Sequence, residues 1–377
     1  MAPRFFTKGS PSDLLLLPAE QLWYRFDPGI LPIHPGDILA GYRVTRLLGR
    51  GGMGEVWAAA EPEGTKEVAI KVLLPRAALK PDLVARFERE AEVTAAIESD
   101  YVCKLLSTTR DESGSHLLVF EKLDGESLSE RLKREIYLPF AEVGPIVADA
   151  LEGLTAAHDL GVIHRDLKPG NIFLEWIDEP GRRERAKILD FGISKLTKKE
   201  AGRRDEPSLT DFDATLGSFA YMAPEQVRGA ARVDERADIY AMGAVAFRAL
   251  AGRLPFEGSN AGMIIALKLD RPAPSLSEVT GDQWPAGLER FLETVLQREP
   301  ELRFPDATQA LEEWRRILPM ALTRRSTPPP VRGRGPVSYQ TDTAIDGPPT
   351  MTEASDSVRW DTAESKTEVG DGFNGPD

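Results

Sequence analysis

Residues 164–171 place five polar side chains within eight positions, between two apolar runs. The octet is His-Arg-Asp-Leu-Lys-Pro-Gly-Asn, and the apolar residues 172–174 follow it directly. Loops that are anchored between regular elements commonly carry binding and catalytic groups. We therefore interpret the octet as a reactive loop that presents the side chains of Asp166, Lys168 and Asn171.

A glycine-rich hexapeptide, Gly-Arg-Gly-Gly-Met-Gly, occupies residues 49–54 and matches the pattern G-x-G-x-x-G. A dinucleotide-binding fold needs a helix directly after such glycines, whereas residues 55–60 continue as a strand-like run of small and apolar residues. This context favours a flexible hairpin whose backbone N–H groups cover nucleotide phosphates. An ordinary glycine-rich hairpin is the alternative, because the pattern alone is weakly specific.

Lys71 ends the apolar strand-like run Val-Ala-Ile-Lys. A lysine on the inner face of an apolar strand is costly to bury unless phosphate oxygens and a carboxylate pair with it. The next predicted element is an amphipathic helix at 81–98, which carries Glu88, Glu90 and Glu92. By charge alone each glutamate is a candidate partner, and all three could equally lie on a solvated face.

Taken in order, these motifs resemble those of the Hanks-type protein kinases. Asp-Phe-Gly at 190–192 and Ala-Pro-Glu at 223–225 also follow in the order of that family. Lys168 is typical of the serine/threonine kinases, and the glycine-rich and catalytic loops are particularly similar to bacterial members. The resemblance covers about residues 42–317.

The resemblance implies that ATP is the phosphoryl donor and that Mg²⁺ is the metal, with Mn²⁺ as a second option. Asp166 would accept or orient the proton of a Ser or Thr hydroxyl of a protein substrate. Lys168 would neutralise the transferring phosphoryl group, and Asn171 and Asp190 would be the metal ligands. Catalysis of this kind consists mostly of positioning and charge stabilisation.

The resemblance also implies a nucleotide pocket. Glu90 is preferred as the partner of Lys71, since family members commonly carry Arg-Glu-Ala at this place, and Phe120 stands as the gatekeeper before the hinge. Val56, Ala69 and Phe173 would sandwich the base. The predicted nucleotide-contacting residues are Leu48, Gly49, Arg50, Gly51, Gly52, Met53, Gly54, Glu55, Val56, Ala69, Lys71, Glu121, Leu123 and Phe173.

Regulation by phosphorylation is implied by Arg165, because a phosphate on the activation segment can pair with this arginine. The candidate phosphorylation sites are Thr210 and Thr215, with Thr215 as the main autophosphorylation site. Ser218 stands where the family usually has threonine, and it keeps a hydroxyl that can bond the catalytic aspartate and lysine.

The resemblance also implies structural roles for several other residues. Glu225 should pair with Arg303, and Asp238 should brace the backbone of the catalytic loop. His164 should support the Asp-Phe-Gly segment by packing and hydrogen bonding. The alternative for the two carboxylates is that they are surface charges at helix ends.

Composition excludes several other classes of protein. A net charge of −13 disfavours a general binder of nucleic acid or of anionic membranes, both of which need a basic surface. Cys103 is the one cysteine, so an intramolecular disulfide framework is excluded. No run approaches the roughly 20 apolar residues that a membrane-spanning helix needs. We therefore expect a cytoplasmic protein without membrane insertion.

Hydrophobic periodicity predicts an α+β protein, in agreement with the bilobal protein kinase fold that the resemblance implies. Residues 41–123 would form a small five-stranded β lobe with one regulatory helix, and residues 124–318 a larger, mainly α-helical lobe. Residues 1–40 would be an N-terminal extension. The acidic Ser, Thr and Pro-rich tail at 319–377 is too poor in apolar residues to fold, and residues 175–185 would be a solvated insertion.

Two other functions remain open at this stage. A pseudokinase or signalling scaffold would bind nucleotide and partners without phosphotransfer, yet such scaffolds often lack one of Lys71, Glu90, Asp166, Asn171 and Asp190, all present here. A small-molecule phosphotransferase is disfavoured by the Ala-Pro-Glu segment.

A phosphothreonine-binding module is a candidate partner of the tail threonines, which are Thr341, Thr343, Thr350, Thr352, Thr362 and Thr367.

Overall fold

The structure is a computed structural model that describes residues 33–51, 54–62, 64, 66–73, 75–111, 114–191, 216–229 and 233–321. Several predictions fall outside these residues. They concern most of the N-terminal extension, nearly all of the tail, and Gly52, Met53, Gly192, Thr210 and Thr215; the side chain of Ser218 is likewise not described.

Within the described residues, the N-terminal lobe contains a six-stranded antiparallel sheet with the order β1-β2-β3-β4-β6-β5. The strands are β1 (Ile38–Leu39), β2 (Tyr42–Arg50), β3 (Gly54–Ala60), β4 (Glu67–Leu73), β5 (Leu105–Arg110) and β6 (His116–Glu121). Five strands were predicted, and β1 is the additional one. Two residues are too short to show a periodicity, although Leu39 is buried against the sheet.

Strand β4 illustrates how the sheet presents Lys71. Side chains alternate between the two faces of a strand, so Val68, Ile70 and Val72 are buried together in the core on one face. Ala69 and Lys71 lie on the other face, where Ala69 packs against the core that includes the helix α2 (Pro81–Ala96). A short helix, α1 (Pro75–Ala78), precedes α2.

The C-terminal lobe is mainly helical and carries a small sheet of order β7-β8-β9. Its central helix is hydrophobic all round and is buried along almost its whole length, which is typical of a core helix. The elements are β7 (Gly125–Ser127), α3 (Leu128–Glu135), α4 (Phe140–His158), β8 (Ile172–Glu179), β9 (Arg182–Ile188), α5 (Leu216–Tyr221), α6 (Pro224–Val227), the central α7 (Arg236–Ala251), α8 (Ala261–Asp270), α9 (Leu276–Thr280), α10 (Ala286–Val295) and α11 (Ala307–Ala321).

The predicted reactive loop connects α4 to β8. Gly161 adopts a left-handed backbone with φ 72° just after α4, and the buried side chains of Leu167 and Ile172 anchor the loop to the core. The predicted insertion forms the β8-β9 hairpin, which ion pairs hold to the lobe through Arg131 and Glu184 at 2.6 Å. Among the helices of the described ranges, none has the length and apolar character to cross a membrane.

Candidate active site

Asp238 fixes the backbone at the start of the catalytic loop. Its carboxylate accepts hydrogen bonds from the N–H groups of His164 at 2.7 Å and Arg165 at 2.8 Å, and it lies 2.9 Å from Nε2 of His158. Burial would raise the pKa of the Asp238 carboxyl, but the hydrogen bond and charge of His158 outweigh burial and lower this pKa. The predicted bracing of the loop by Asp238 is therefore confirmed.

The catalytic loop brings Asp166, Lys168 and Asn171 together. The Lys168 ammonium lies 3.5 Å from the Asp166 carboxylate, and each side chain is about one-fifth exposed. The Asn171 side chain donates to the Asp166 carbonyl at 2.9 Å, and the Asn171 carbonyl accepts from the Leu189 N–H at 2.9 Å. This second bond sets Asn171 beside Asp190, although the two are far apart in the sequence.

Lys71 lies between two carboxylates. Its Nζ is 2.6 Å from Oε1 of Glu90 and 2.9 Å from Oδ1 of Asp190, and its side chain is 12% exposed. Burial would lower the pKa of the Lys71 ammonium, but the charges of Asp190 and Glu90 outweigh burial and raise this pKa. Lys71 is therefore a permanent cation at the junction of the two lobes.

The predicted choice of Glu90 over its neighbours on α2 is borne out by the contact with Lys71. Glu88 instead faces Arg110, at 3.3 Å, and Glu92 faces Arg89, at 3.1 Å. Both of these pairs are exposed, whereas Glu90 is buried.

The glycine-rich hairpin is held by a buried carboxylate. Glu55 accepts from Nε of Arg50 and from Nε1 of Trp57, both at 3.0 Å. Gly54 must be glycine, because a Cβ there would lie 2.3 Å from the Val72 carbonyl oxygen. The side chains of Arg50 and Glu55 therefore brace the hairpin.

The residues predicted to contact the base lie on the N-terminal sheet, on β8 and in the hinge, which is residues 121–123. Val56, Ala69 and Phe173 are half-buried, whereas Phe120 is buried in the core beside α2. The Glu121 side chain already has partners within the protein: its Oε1 accepts from Nζ of Lys187 at 2.8 Å and from the Lys104 N–H at 2.9 Å. Any contact of Glu121 with a base would therefore use its backbone. The two other predicted pocket residues differ in exposure: Leu48 is exposed and Leu123 is half-buried.

His164 supports the Asp-Phe-Gly segment, as predicted. Its Nε2 lies 3.0 Å from the Leu189 carbonyl oxygen, and its ring packs against Phe191 with centroids 5.1 Å apart. His164 is fully buried. Asp190, between these two contacts, has a positive φ of 41°, so the packing holds its backbone in a conformation that is uncommon for aspartate.

Glu225 and Arg303 form a buried, bidentate ion pair with N to O distances of 2.7 and 2.8 Å. The Arg303 guanidinium also lies 4.9 Å from the centre of the Tyr240 ring. The predicted pairing is confirmed, and the alternative of surface charges at helix ends is wrong. The pair ties α6 to the chain before α11.

Replacing Glu225 by glutamine should destabilise the protein by ~3 kcal/mol, because the Arg303 charge would stay buried without its counter-ion. Thermal unfolding followed by circular dichroism measures the effect. The matched control is Glu313→Gln, which breaks an exposed pair with Arg316 and should cost less than about 1 kcal/mol. Equal decreases in melting temperature for the two variants would contradict the importance of the buried pair.

Two residues that contact the catalytic loop or the segment before α6 were not found from the sequence. Gln226 donates to the Arg165 carbonyl at 2.9 Å, so it joins α6 to the catalytic loop. Lys268 is 1% exposed, and its Nζ donates to the carbonyls of Ala220 and Met222 at 2.7 and 2.6 Å. A signal for Lys268 exists in the sequence, because it lies four residues after Ile264 and so shares the buried face of α8.

Burial lowers the pKa of Lys268 from 10.5 to about 7, and the nearby Glu225 carboxylate only partly opposes this. The other groups that face Lys268 are the Tyr240 ring and, beyond it, the Arg303 guanidinium. Between about pH 7 and pH 10.5, the unfolded chain therefore binds more protons at this position than the folded chain does.

Stability should accordingly rise with pH over this interval through Lys268, and a Lys268→Met variant should lack that contribution. Urea unfolding of both proteins from pH 6 to pH 10 measures it. We expect the stability of the wild type, relative to the variant, to increase with pH. A constant difference across the range would show that Lys268 keeps its ordinary pKa in the folded protein.

Comparison with known proteins agrees with this geometry. A family model described as the protein kinase domain matches residues 42–314. The serine/threonine-protein kinase pkn2 of Myxococcus xanthus is 40% identical over 248 residues, which cover 64% of this chain and 29% of pkn2. For pkn3 of the same organism, the identity is 35% over 292 residues, with 75% of this chain and 52% of pkn3 covered.

The serine/threonine-protein kinase PknF of Mycobacterium tuberculosis is 34% identical over 279 residues, covering 73% of this chain and 56% of PknF. The chain thus spans about half or less of the length of these relatives. The crystal structure of the PknI kinase domain of Mycobacterium tuberculosis superposes with a TM-score of 0.57 at 28% identity, over 76% of this chain and 99% of that one. These matches show that the chain belongs to the protein kinase family, among the bacterial Hanks-type serine/threonine kinases.

Proposed function

We propose that this protein transfers the γ-phosphoryl group of ATP to serine or threonine hydroxyls of proteins. The observation that carries the proposal is the position of Lys71 between Glu90 and Asp190, at 2.6 and 2.9 Å. An active kinase needs this lysine held by the glutamate of the regulatory helix. The names of the relatives, which are serine/threonine-protein kinases, support the same activity.

Each residue of the cleft has a task in this proposal. Asp166 orients the acceptor hydroxyl and takes up its proton, since the carboxylate is partly exposed in the cleft. Lys168, 3.5 Å from that carboxylate, neutralises charge on the phosphoryl group as it transfers. Lys71 holds the phosphates of the nucleotide, and the hairpin backbone around Gly51 covers them. The chain performs no covalent chemistry of its own.

The residues present fit a divalent metal, and we propose Mg²⁺. In the described part of the chain, no group of three or more His, Cys, Asp and Glu side chains could hold a metal alone. Mg²⁺ in phosphoryl-transfer sites is bound through one or two protein oxygens together with substrate phosphates. Asp190, whose carboxyl pKa is lowered because the Lys71 charge outweighs the effect of desolvation, would hold it with Asn171. When bound, the metal would neutralise charge that develops on the phosphates.

Phosphorylation of the activation segment is the proposed means of regulation. Arg165 follows the braced residue His164, and its buried Nε has no hydrogen-bond partner in the described ranges. A phosphate at Thr215, or at Thr210, would supply acceptor oxygens and negative charge to this guanidinium. Ser218 would add a hydroxyl beside Asp166.

An unphosphorylated protein should therefore be less active than one that has phosphorylated itself at Thr215. Phosphopeptide mapping combined with initial rates, before and after phosphatase treatment, tests this expectation. Thr215→Ala should lower the activity, whereas Thr367→Ala, which changes a threonine of the tail, is the control. Full activity with Thr210 and Thr215 both unmodified would contradict the regulation.

The domain division is also proposed: an extension at 1–40, lobes at 41–123 and 124–318, and a disordered tail at 319–377. The pairing of β1 with β2 supports beginning the first lobe a few residues earlier.

The tail would offer phosphothreonine to a binding module, and a tail deletion that leaves partner binding unchanged would contradict this. We further propose a cytoplasmic location, where ATP and protein substrates are available.

The activity is tested by incubating the purified protein with γ-labelled ATP, Mg²⁺ and myelin basic protein, followed by phosphoamino-acid analysis. We expect labelled phosphoserine and phosphothreonine, without labelled phosphotyrosine. The alternative function, a pseudokinase scaffold, predicts nucleotide binding without label transfer. Transfer only to tyrosine, or no transfer by a protein that binds ATP, would overturn the proposal.

A further inference from the structure

We propose that Lys268 is a positioning residue for the protein substrate. This inference rests on the proposed kinase function and concerns the segment of residues 220–222, here called the substrate ledge. Lys268 reaches the ledge from α8 and donates to the carbonyls of Ala220 and Met222. The family motifs do not include it, and the proposed transfer chemistry does not use it.

The ledge lies beside the catalytic loop. Tyr221 and Met222 of the ledge border the same small gap as Arg165 and Asp166 of the catalytic loop. A peptide whose hydroxyl reaches Asp166 would therefore approach the ledge. The position of the ledge decides how well such a peptide binds, because misplaced reacting groups lose the advantage of proximity.

The ledge is held at two points by two different elements. Gln226 accepts from the Ala223 N–H at 2.9 Å and donates to the Arg165 carbonyl, which fixes the end nearest the catalytic loop. Lys268 holds the carbonyls of Ala220 and Met222 within the ledge itself. Ala220 lies in the last turn of α5, where backbone carbonyls have no partner within the helix, so Lys268 supplies donors that the helix cannot.

Packing alone does not account for a lysine at this position. The side chain is 1% exposed, and burial of an ammonium is unfavourable unless it is paired or hydrogen-bonded. A methionine would fill a similar volume without that cost. What the lysine adds is its set of N–H donors, and a neutral amine retains two of them, so both carbonyls can be bonded in either protonation state.

The test compares Lys268→Met, Lys268→Gln and the control Arg248→Met in the full chain. Arg248 is also a buried cation of this lobe, and it donates to the Ile136 carbonyl at 2.6 Å, away from the ledge. Steady-state kinetics with myelin basic protein give KM for protein and for ATP, and thermal unfolding reports stability. Autophosphorylation of the wild type verifies the proposed kinase function separately.

Lys268→Met should raise KM for the protein substrate about tenfold and leave KM for ATP unchanged, because buried carbonyls of the ledge lose their donors. Lys268→Gln, which restores an N–H donor, should recover part of the affinity. Arg248→Met should lower the melting temperature without changing either KM. A wild-type KM for protein in Lys268→Met, or failure of both Lys268 variants to fold, would overturn the positioning role. An inactive wild type would instead refute the kinase function.

Discussion

An Asp166→Asn variant is expected to transfer phosphate about 10²- to 10⁴-fold more slowly than the wild type, which is the range of general-base contributions. The asparagine side chain keeps the size of aspartate but cannot take up the proton of the acceptor hydroxyl. The loop should keep its shape, because Asn171 bonds the backbone carbonyl at position 166 rather than the side chain. Nucleotide affinity should therefore remain that of the wild type.

Initial rates with γ-labelled ATP and a fluorescent-nucleotide titration measure the two quantities on the same preparation. Asp159→Asn is the matched control, since Asp159 is exposed at the end of α4 and outside the cleft. Its rate should equal that of the wild type. Loss of nucleotide binding in step with the loss of rate would mean that Asp166 maintains the fold of the loop and is not the base.

Lys71→Met is expected to have an effect of similar size through a different cause. The substitution removes the cation that both Glu90 and Asp190 contact, and Glu90 would remain buried with an unpaired carboxylate, which is strongly unfavourable. We expect a loss of activity of at least about 100-fold, because charge stabilisation supplies most of the catalysis in phosphoryl transfer.

The stabilisation that MgATP gives to the folded protein should also decrease in Lys71→Met, since the phosphates lose an ionic contact. Thermal unfolding with and without MgATP measures this change. Lys187→Met is the control, because Lys187 is also a buried lysine between two carboxylates, Glu121 and Glu175, yet it lies outside the predicted phosphate site. If Lys187→Met lost the MgATP stabilisation and Lys71→Met kept it, Lys71 would not be the phosphate ligand.

The resemblance of the sequence motifs to those of the protein kinases predicted several long-range contacts. Lys71 with Glu90, Glu225 with Arg303, and Asp238 with the catalytic loop join residues from 19 to 78 positions apart. Periodicity alone does not determine such pairings, so they depended on the resemblance to a family whose motifs have known roles. The two-lobe fold was predictable because strand and helix patterns are segregated along the chain.

Other features required the three-dimensional structure. The bond of Glu55 to Trp57 is local, but the alternation along β3 does not reveal that the carboxylate is buried beneath the glycine-rich hairpin. For Lys268, the sequence indicates the burial but not the partner. Its burial is visible as a lysine on the apolar face of α8, whereas its partner Met222 is 46 residues away, and a backbone carbonyl leaves no mark in the sequence.

Strand β1 was missed for a third reason. Its two residues pair with β2, and so short an edge strand has no periodicity, although Gly36 and Gly41 mark turns on either side of it. Gln226 was overlooked because its side-chain amide bonds only backbone groups, the Ala223 N–H and the Arg165 carbonyl. A glutamine after Ala-Pro-Glu has no charge that would indicate such a contact.

We infer above all that the cleft containing Lys71, Asp166 and Asp190 catalyses phosphoryl transfer. The most direct test incubates wild type, Asp166→Asn and Lys71→Met side by side with γ-labelled ATP, Mg²⁺ and myelin basic protein. We predict rapid incorporation of label with the wild type, and incorporation reduced at least about 100-fold with either variant. Equal incorporation by all three proteins would contradict the assignment of this cleft as the active site.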